Sequence, residues 1–567
     1  MNGASIQRRL NDIKGHYDVA VIGAGIHGAA VAWEAASRGL SIILLDKGDF
    51  GCGTSSNSLK TIHGGLRSLQ RLDFIALREN SQERRALMRI APHLVQPLQC
   101  VIPTYRKLSK SRLVMGAGLK LYNLAVMDRN AGLDPALQLP PAQIITRQEM
   151  HELVPELDDA AVTGGACWHD AQVYNTERLV LAFVLAARQA GARVVNYLLN
   201  KEYIVKNNKV AGLLAQDPFC GEAIKIEAGA VIDCTGPWAA QNSSFQAHAQ
   251  LGRTHQVSPP VSMARAVNLI IRKRITSCAL GARTCTDQVD NRLLFIVPWR
   301  TGSMIGTWYY HDANVPEHLS LSGQELADCL NQINSIFPAL DLTPADVTFV
   351  HLGLLPAYPG SANSVGEPRL WGHSRIIEAS QSGGPGGLFW LQGTKLTTAR
   401  AQAVKTIDRV ARYLKKPIQR SQTYKIPLYG GEIADYASYQ QNCMANLANH
   451  WTRQTITRLQ RNYGSNLDAI ISKADDDETL VELVPGSADV VKAELSYIIE
   501  NEQVYRLSDL LLRRTDIGSF AQPAEATIAY CADVMAEYWH WNEPQREENI
   551  AEFLLRYSHI AQTYSQE

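Results

Sequence analysis

Three glycine-punctuated stretches carry most of the chemistry this chain can be expected to perform. The first is Gly23, Gly25 and Gly28, spaced G-x-G-x-x-G between the apolar run Val19–Ile22 and an alanine-rich segment. That spacing suits a strand–turn–helix in which glycines permit a tight turn, backbone approach to a pyrophosphate and close helix–strand packing. The helix start would offer free N–H groups and a positive dipole end to an anion. Asp46 ends the next apolar run, about 20 positions on, where a carboxylate can meet ribose hydroxyls. Strand, turn, helix, second strand and acid together define a dinucleotide site, equally fit for either common dinucleotide.

The second stretch is Gly48–Leu69, GDFGCGTSSNSLKTIHGGLRSL. Its glycines and small hydroxyl residues cannot build a core, yet it follows the nucleotide strand directly. Such a loop suits wrapping phosphates and polyol hydroxyls, with an ordinary surface loop as the competing reading. The third is Ser382–Arg400, SGGPGGLFWLQGTKLTTAR. Here a glycine turn and a short apolar strand lead to Gly393, expected to open a helix. Its lysine and threonines would offer donors to an electron-rich ring or a phosphate. Between these, the strand Lys225–Ile232 runs into Thr235–Trp238, TGPW, another place where backbone can approach a ligand.

The elements that must position these stretches follow from periodicity. Phe74–Arg89 and Thr176–Ala192 read as helices; Val194–Ile204, Lys209–Leu214 and Lys225–Ile232 read as strands. Residues 250–350 alternate between β-rich runs (Ala266–Ile271, Leu293–Trp299, Ser303–Trp308) and turns, as in a largely antiparallel sheet inserted into the nucleotide domain. Beyond Pro417 the glycine motifs cease, and residues 430–567 show apolar positions at helical spacing. Residues 105–125 interleave Lys107, Lys110, Arg112 and Lys120 with leucines, valine and methionine. Such a segment can lie in a bilayer interface or be an internal helix whose lysines face water, and sequence leaves both open.

Composition narrows the class. A chain of 567 residues should hold two to four domains. Lys plus Arg and Asp plus Glu are both 55, so no overall charge draws it to nucleic acid. The ten cysteines form no C-x-x-C, which suggests neither a metal site nor a disulfide framework and fits a reducing cytosol. The first residues lack the apolar core of a signal peptide, and no apolar run approaches the ~18 residues of a membrane span. The expected location is cytoplasmic, in solution or on a membrane surface.

Taken in order, the motifs resemble the flavin-dependent glycerol-3-phosphate dehydrogenases. The similarity runs through Gly23–Gly28, Ala91–Leu94 (APHL), Thr54–Arg67 (TSSNSLKTIHGGLR), TGPW, Phe295–Trp299 (FIVPW), Ile305–Thr307 (IGT) and Gly393–Arg400 (GTKLTTAR). It continues into the tail at Tyr463–Asn466 (YGSN) and Leu507–Thr515 (LSDLLLRRT). The resemblance implies FAD on a D-amino-acid-oxidase-type fold: a Rossmann-like α/β FAD domain, an antiparallel-sheet substrate domain and a C-terminal helical domain. The implied boundaries are residues 1–417 for the oxidoreductase region and 418–567 for the helical domain. Within the former, the FAD domain would take about 15–90, 150–240 and 350–417, and the substrate domain about 91–149 and 241–349. By position, Gly23, Gly25, Gly28 and Asp46 would hold the ADP half of FAD, and Ser55, Ser56, His63, Gly64 and Gly65 the pyrophosphate and ribityl region. Gly236, Gly393, Lys395, Leu396 and Thr397 would sit by the ribityl chain and the ring.

The substrate side departs from the family pattern. Arg67 is kept in H-G-G-L-R, but Ser68 replaces the tyrosine that typically follows. Arg265 aligns with the lysine and Asn268 with the histidine of a K-G-x-H motif, Leu355 with an arginine, and His373 loosely with a further arginine. Leucine offers a phosphate nothing, and asparagine cannot take a proton. The expected substrate-site residues are therefore Arg67, Lys395, Arg265, Asn268 and His373, with His311 a possible substitute and His63 a further candidate base. The implied activity is hydride transfer from a secondary alcohol to flavin, with glycerol 3-phosphate or a relative as substrate, dihydroxyacetone phosphate as product and a membrane quinone as acceptor. Peripheral attachment through residues 105–125 would bring that acceptor within reach. A same-fold oxidase or dehydrogenase acting on a different hydroxy or amino substrate is the rival reading. A flavin-bound protein with little turnover stands third.

Overall fold

The computed structural model describes residues 9–10, 13, 15–69, 71–107, 110–157, 160–240, 262–285, 290–312, 319–362 and 366–561. Leu108 of the basic segment and residues 241–261 of the expected substrate domain lie outside the described residues.

The strand His16–Ile22, fully buried from Val19 to Ile22, anchors the first of two sheets. It pairs in parallel with Ile42–Leu45 on one side and Ala223–Asp233 on the other, in a register that sets Ile22 beside Leu45 and Asp233. The sheet order is Arg375–Glu378, Leu388–Gln392, Ala223–Asp233, His16–Ile22, Ile42–Leu45, Arg193–Val195, with Leu199–Lys206 and Lys209–Gln216 as an antiparallel extension. The strand ends at Ile22, Leu45, Asp233 and Gln392 thus bring the three glycine-rich stretches and TGPW to one edge, the usual place for a ligand in an open parallel sheet.

The helices Ile26–Ser37, Thr176–Gln189 and Ala399–Leu414 cover one face of this sheet and share its core. Thr176–Gln189 is buried at every position from Thr176 to Ala187. A helix buried on all faces needs cover on both sides. The C-terminal domain supplies the second side, where Arg178 donates to Glu502 at 2.6 Å and to the carbonyl of Asn462.

The second sheet has ten strands, including Val95–Tyr105, Val162–Val173, Ser262–Ile271, Asp290–Trp299, Gly302–Asp312 and Val347–Ala362. It is antiparallel as expected, apart from the parallel contact between Ala279–Cys285 and Val95–Tyr105. Its membership shifts the expected boundaries: Val162–Val173, and Val347–Ala362 from residue 350 onward, placed by sequence in the FAD domain, belong to long strands of this sheet. Alternation puts Val267, Leu269, Ile271, Ile305 and Trp308 in a core with the helix Gly323–Ile336. Asn268, Ile270, Phe295 and Met304 turn the other way, and part of that face is covered by the C-terminal helices through Ile270, Trp299, Met304 and Phe349.

Residues from Tyr436 to Ala561 form the expected helical domain, ending in Glu525–Trp539 and Glu543–Ala561. Among the described residues no helix is long and apolar enough to cross a membrane.

Candidate active site

The glycine turn forms as its spacing requires. Gly23 has φ of +92°, and a Cβ there would lie 2.8 Å from the carbonyl oxygen of Cys234. A Cβ on Gly28 would lie 1.8 Å from the carbonyl oxygen of Gly23, so helix and turn touch backbone to backbone. Gly25 occupies the N-cap of Ile26–Ser37 without a side-chain cap. Ser55 reaches the same spot, its Oγ accepting the Ile26 N–H at 2.9 Å. Asp46 stands at the mouth of the turn, its carboxylate accepting the N–H groups of Ala24 at 2.6 Å and Gly48 at 2.9 Å. Burial pushes its pKa up to about 6, against the pull of those two donors.

Other expected cofactor residues divide by what occupies them. Ser56 donates its hydroxyl to the carbonyl of Gly51 and so serves the loop's own shape. Gly64 is a glycine because Arg84 lies above it: a Cβ would fall 2.0 Å from the guanidinium. Its N–H goes to Asp170 at 2.7 Å. Gly65, at φ +88°, packs on the backbone of Leu77. Gly236 also has positive φ, with open space where a side chain would go. The helix expected at Gly393 begins only at Ala399, leaving Gly393–Thr398 as a turn that presents Lys395 and Leu396 while Thr397 and Thr398 are buried. The delay fits the backbone: Thr394 N–H is turned aside to Ser374 Oγ at 3.2 Å.

Sequence reasoning missed His27, although it lies inside the G-x-G-x-x-G motif. Its ring rests against Gly393, where an added Cβ would sit 2.0 Å from a ring carbon. Burial lowers its pKa to about 4, and its Nε2 has no hydrogen-bond partner among the described residues. A glycine cradle, a helix N-terminus whose N-cap glycine brings no side chain, a carboxylate at the second strand and a buried imidazole nitrogen without a partner among the described residues fit a dinucleotide whose pyrophosphate lies at the turn. Gly23, Gly25, Gly28, Ser55, His27, Asp46 and the Gly393–Thr397 turn would hold it.

Beyond the groove, the open face of the second sheet carries Asn268, Thr307 and Tyr309. Thr307 donates to Asn268 Oδ1 at 2.7 Å, and Asn268 is buried. Burial raises the Tyr309 pKa; a hydrogen bond with Thr307 and the charge of Arg67 oppose it. Arg67 is exposed and acts on Lys395 as well. The Lys395 ammonium is largely buried, which lowers its pKa; Glu79 opposes, and Arg71 and Arg67 add to the lowering. Arg71, one turn past Arg67, is a cation that sequence reasoning overlooked. His373 lies at the rim of the same recess, its Nε2 3.3 Å from Asp73 Oδ2.

Arg265 is corrected. Its guanidinium forks onto Glu325, at 2.6 and 3.1 Å, and also binds the carbonyl of Ser320. It lies on the sheet face opposite Asn268, stacked on Tyr310, so it is no anion donor for this site. His311 is exposed two residues beyond Tyr309. Leu355 is half-buried opposite Ala264 and brings no charge.

His63 is the histidine the fold aims at this space. Its Nδ1 lies 3.2 Å from Asp170 Oδ2, and its ring faces Phe295 at 6.3 Å. A carboxylate on Nδ1 fixes the proton there and leaves Nε2 as the basic nitrogen. Asp170 is itself held by Arg84 at 2.9 Å. Burial would raise its pKa, but His63, Arg84 and the Gly64 N–H bring it down to about 2. An unfolded aspartate titrates near 4, so Asp170 contributes about 2 kcal/mol of stability above that pH, lost as pH falls toward 2. Asp170→Asn is expected to lower the melting temperature at pH 7 and to flatten its fall between pH 4 and 2, as calorimetry would read.

The chain belongs to the FAD dependent oxidoreductase family, whose model matches residues 18–401; residues 421–546 match the C-terminal domain of alpha-glycerophosphate oxidase. It is an FAD-dependent oxidoreductase acting on a small molecule. It is 29% identical to a glycerol-3-phosphate dehydrogenase of Synechocystis over 95% of each chain, and 26% identical to an aerobic glycerol-3-phosphate dehydrogenase of Bacillus subtilis over 96% and 95%. Its fold matches the glycerol-3-phosphate dehydrogenase of Bacillus halodurans, solved with FAD, at a TM-score of 0.74 and 21% identity, covering 98% of this chain and 97% of that one.

Proposed function

We propose that the protein oxidises glycerol 3-phosphate, or a close relative carrying an anionic group beside a secondary alcohol. The observation that carries this reading is that two arginines, Arg67 and Arg71, act electrostatically on Lys395, whose turn touches the glycine motif through Gly393 and His27. The Lys395 ammonium makes no direct hydrogen bond or ion pair among the described residues, although the charges of Glu79 and Asp73 act on it, and a bound anion could meet it directly. The near full-length likeness to glycerol-3-phosphate dehydrogenases supports the same substrate.

Bound FAD supplies the hydride acceptor. The protein's part is to hold the alcohol and its proton. Arg67 and Arg71 bind the phosphate; Lys395 stabilises charge developing at the substrate oxygen; His63 Nε2, oriented by Asp170, takes the hydroxyl proton. Asn268 cannot act as a base, and its carbonyl instead fixes Thr307.

A second reading, a substrate without phosphate, is favoured by Leu355 and by the spent guanidinium of Arg265. Anaerobic mixing separates the two. Flavin bleaching by glycerol 3-phosphate but not by 2-hydroxy acids or amino acids supports the first, and the reverse pattern supports the second.

For electron disposal we propose a membrane quinone reached from a bilayer surface. The helix Arg112–Ala125 buries only Leu119 and Tyr122, while Leu113, Leu124 and Met127 are 80%, 64% and 71% exposed. Leu72 and Ile75, which flank the residue paired with His373, add 73% and 84% exposure. Apolar side chains ringed by Lys107, Lys110, Arg112 and Lys120 suit an anionic lipid interface. The protein is expected to co-sediment with vesicles containing phosphatidylglycerol, and Leu113→Glu with Leu124→Glu is expected to release it. Failure of the unmodified protein to bind would end this part of the proposal.

A further inference from the structure

The loop that follows Asp46 forms one wall of the FAD groove, yet its anchor lies in the C-terminal domain. Asp49 is buried, and both of its carboxylate oxygens are spoken for. Arg514 donates to Oδ2 and Oδ1, each at 2.8 Å, in the two-pronged geometry that fixes a carboxylate in plane. Arg513 Nε donates to Oδ2 at 2.5 Å, and Asn196 Nδ2 to Oδ1 at 2.9 Å. Burial would raise the Asp49 pKa, but Arg514 and Arg513 hold it well below the usual carboxylate range.

The arginines are fixed in turn. Arg514 also donates to the carbonyl of Glu502, at 3.0 Å from Nη2, and Arg513 Nη2 to Asp509 Oδ1 at 2.7 Å. Tyr197 OH donates to the same Asp509 oxygen at 2.6 Å, and its N–H to the carbonyl of Gly48 at 3.0 Å. Asp49 is thus pinned from the helical side, while Gly48 is held by Tyr197 of the FAD domain, itself bonded to Asp509 of the helical side.

From Asp49 the constraint passes directly to the groove. Cys52 N–H bonds the Asp49 carbonyl at 3.2 Å, and Gly51 N–H bonds the carbonyl of Ala24, inside the glycine turn, at 3.0 Å. Ser55, three residues past Cys52, reaches the Ile26 N–H at the helix start. Thr54 exchanges hydrogen bonds with Leu354 of the second sheet, at 3.0 and 3.1 Å. The loop is tied at its far end to the substrate sheet and at its near end to Arg513 and Arg514.

We propose that the C-terminal domain is a clamp on the FAD loop: Arg513 and Arg514, through Asp49, position residues 46–56 so that Ser55 and Asp46 meet the cofactor. Asp49, Arg513 and Arg514 are positioning residues, since none of them lines the glycine turn. The adjacent arginines of the Leu507–Thr515 motif, which no chemistry in the active site employs, acquire a task.

The test is the FAD dissociation constant of apo-protein, read by quenching of flavin fluorescence, together with the melting temperature. Asp49→Asn is expected to weaken FAD binding at least ten-fold, and Arg514→Lys, which keeps the charge but loses the fork, to weaken it less. The control is Arg458→Ala, which breaks the buried Arg458–Glu494 pair inside the C-terminal domain and removes none of the groups bonded to Asp49. It is expected to lower the melting temperature while leaving FAD affinity unchanged. Unchanged affinity in Asp49→Asn would overturn the proposal. So would an equal loss of affinity in Arg458→Ala, because general loosening of the domain would then suffice. Should Asp49→Asn fail to fold, Arg513→Lys and Arg514→Lys carry the test, and unchanged FAD affinity in both would overturn it.

Discussion

Replacing Lys395 with methionine is expected to slow flavin reduction by glycerol 3-phosphate about 10²–10³-fold while FAD stays bound, the size of effect seen when one preorganised electrostatic donor is removed. Lys395 sits largely out of water in the Gly393–Thr398 turn, with Arg67 and Arg71 within electrostatic reach. Burial and the nearby arginines weigh against its charge while Glu79 and Asp73 support it, and the balance holds its pKa below the usual ammonium range. A bound phosphate ester would add the anion that favours the charged form. Methionine keeps an unbranched stem to fill the turn and removes only the charge. Stopped-flow absorbance of the oxidised flavin reads the rate, and the spectrum before mixing reads occupancy. A rate within a few-fold of the unmodified enzyme would take Lys395 out of the chemistry.

The second large effect is expected at Gly28. Alanine there would place a methyl 1.8 Å from the carbonyl oxygen of Gly23, and the turn has no room to yield. Gly23 itself is pressed between strands, its missing Cβ 2.8 Å from the Cys234 carbonyl oxygen and 2.9 Å from Thr235 Cα. Relief would require parting the helix Ile26–Ser37 from the sheet, whose shared core includes Val21, Ala29 and Val31. Overpacking of this kind costs about 3 kcal/mol. Gly28→Ala is expected to purify without flavin and to melt at lower temperature. A yellow protein with normal FAD content would contradict the packing described for the turn.

Features set by local chain geometry were legible in the sequence. The glycine spacing announced a close backbone contact, realised at Gly23 and Gly28, and the apolar runs at Val19–Ile22 and Ser41–Leu45 announced buried parallel strands. The helical tail beyond Pro417 was readable from its periodicity. Features that depend on distant partners were not. Arg265 aligned with a substrate-site cation, but Glu325, sixty residues on, takes its guanidinium. The H-G-G motif read as a ligand loop, whereas Gly64 also answers to Arg84. Val162–Val173 gave no sign that it would pair with Val95–Tyr105 in the second sheet. His27 was hidden by its own motif, since an x position between required glycines draws no notice. The signal that could have found it is a titratable residue in the first turn of a helix built to face an anion. Asp170 had no local mark, because its partners His63 and Arg84 are about a hundred residues away in the chain.

The central claim is that this groove holds FAD against a site that oxidises a phosphate-bearing secondary alcohol. Its most direct test is anaerobic single-turnover mixing of the oxidised enzyme with glycerol 3-phosphate, unlabelled and deuterated at C2. Rapid bleaching of the flavin, slowed several-fold by deuterium, is the predicted result, because the C2–H bond breaks as the flavin is reduced. Flavin that stays oxidised with glycerol 3-phosphate yet bleaches with a compound lacking phosphate would contradict it.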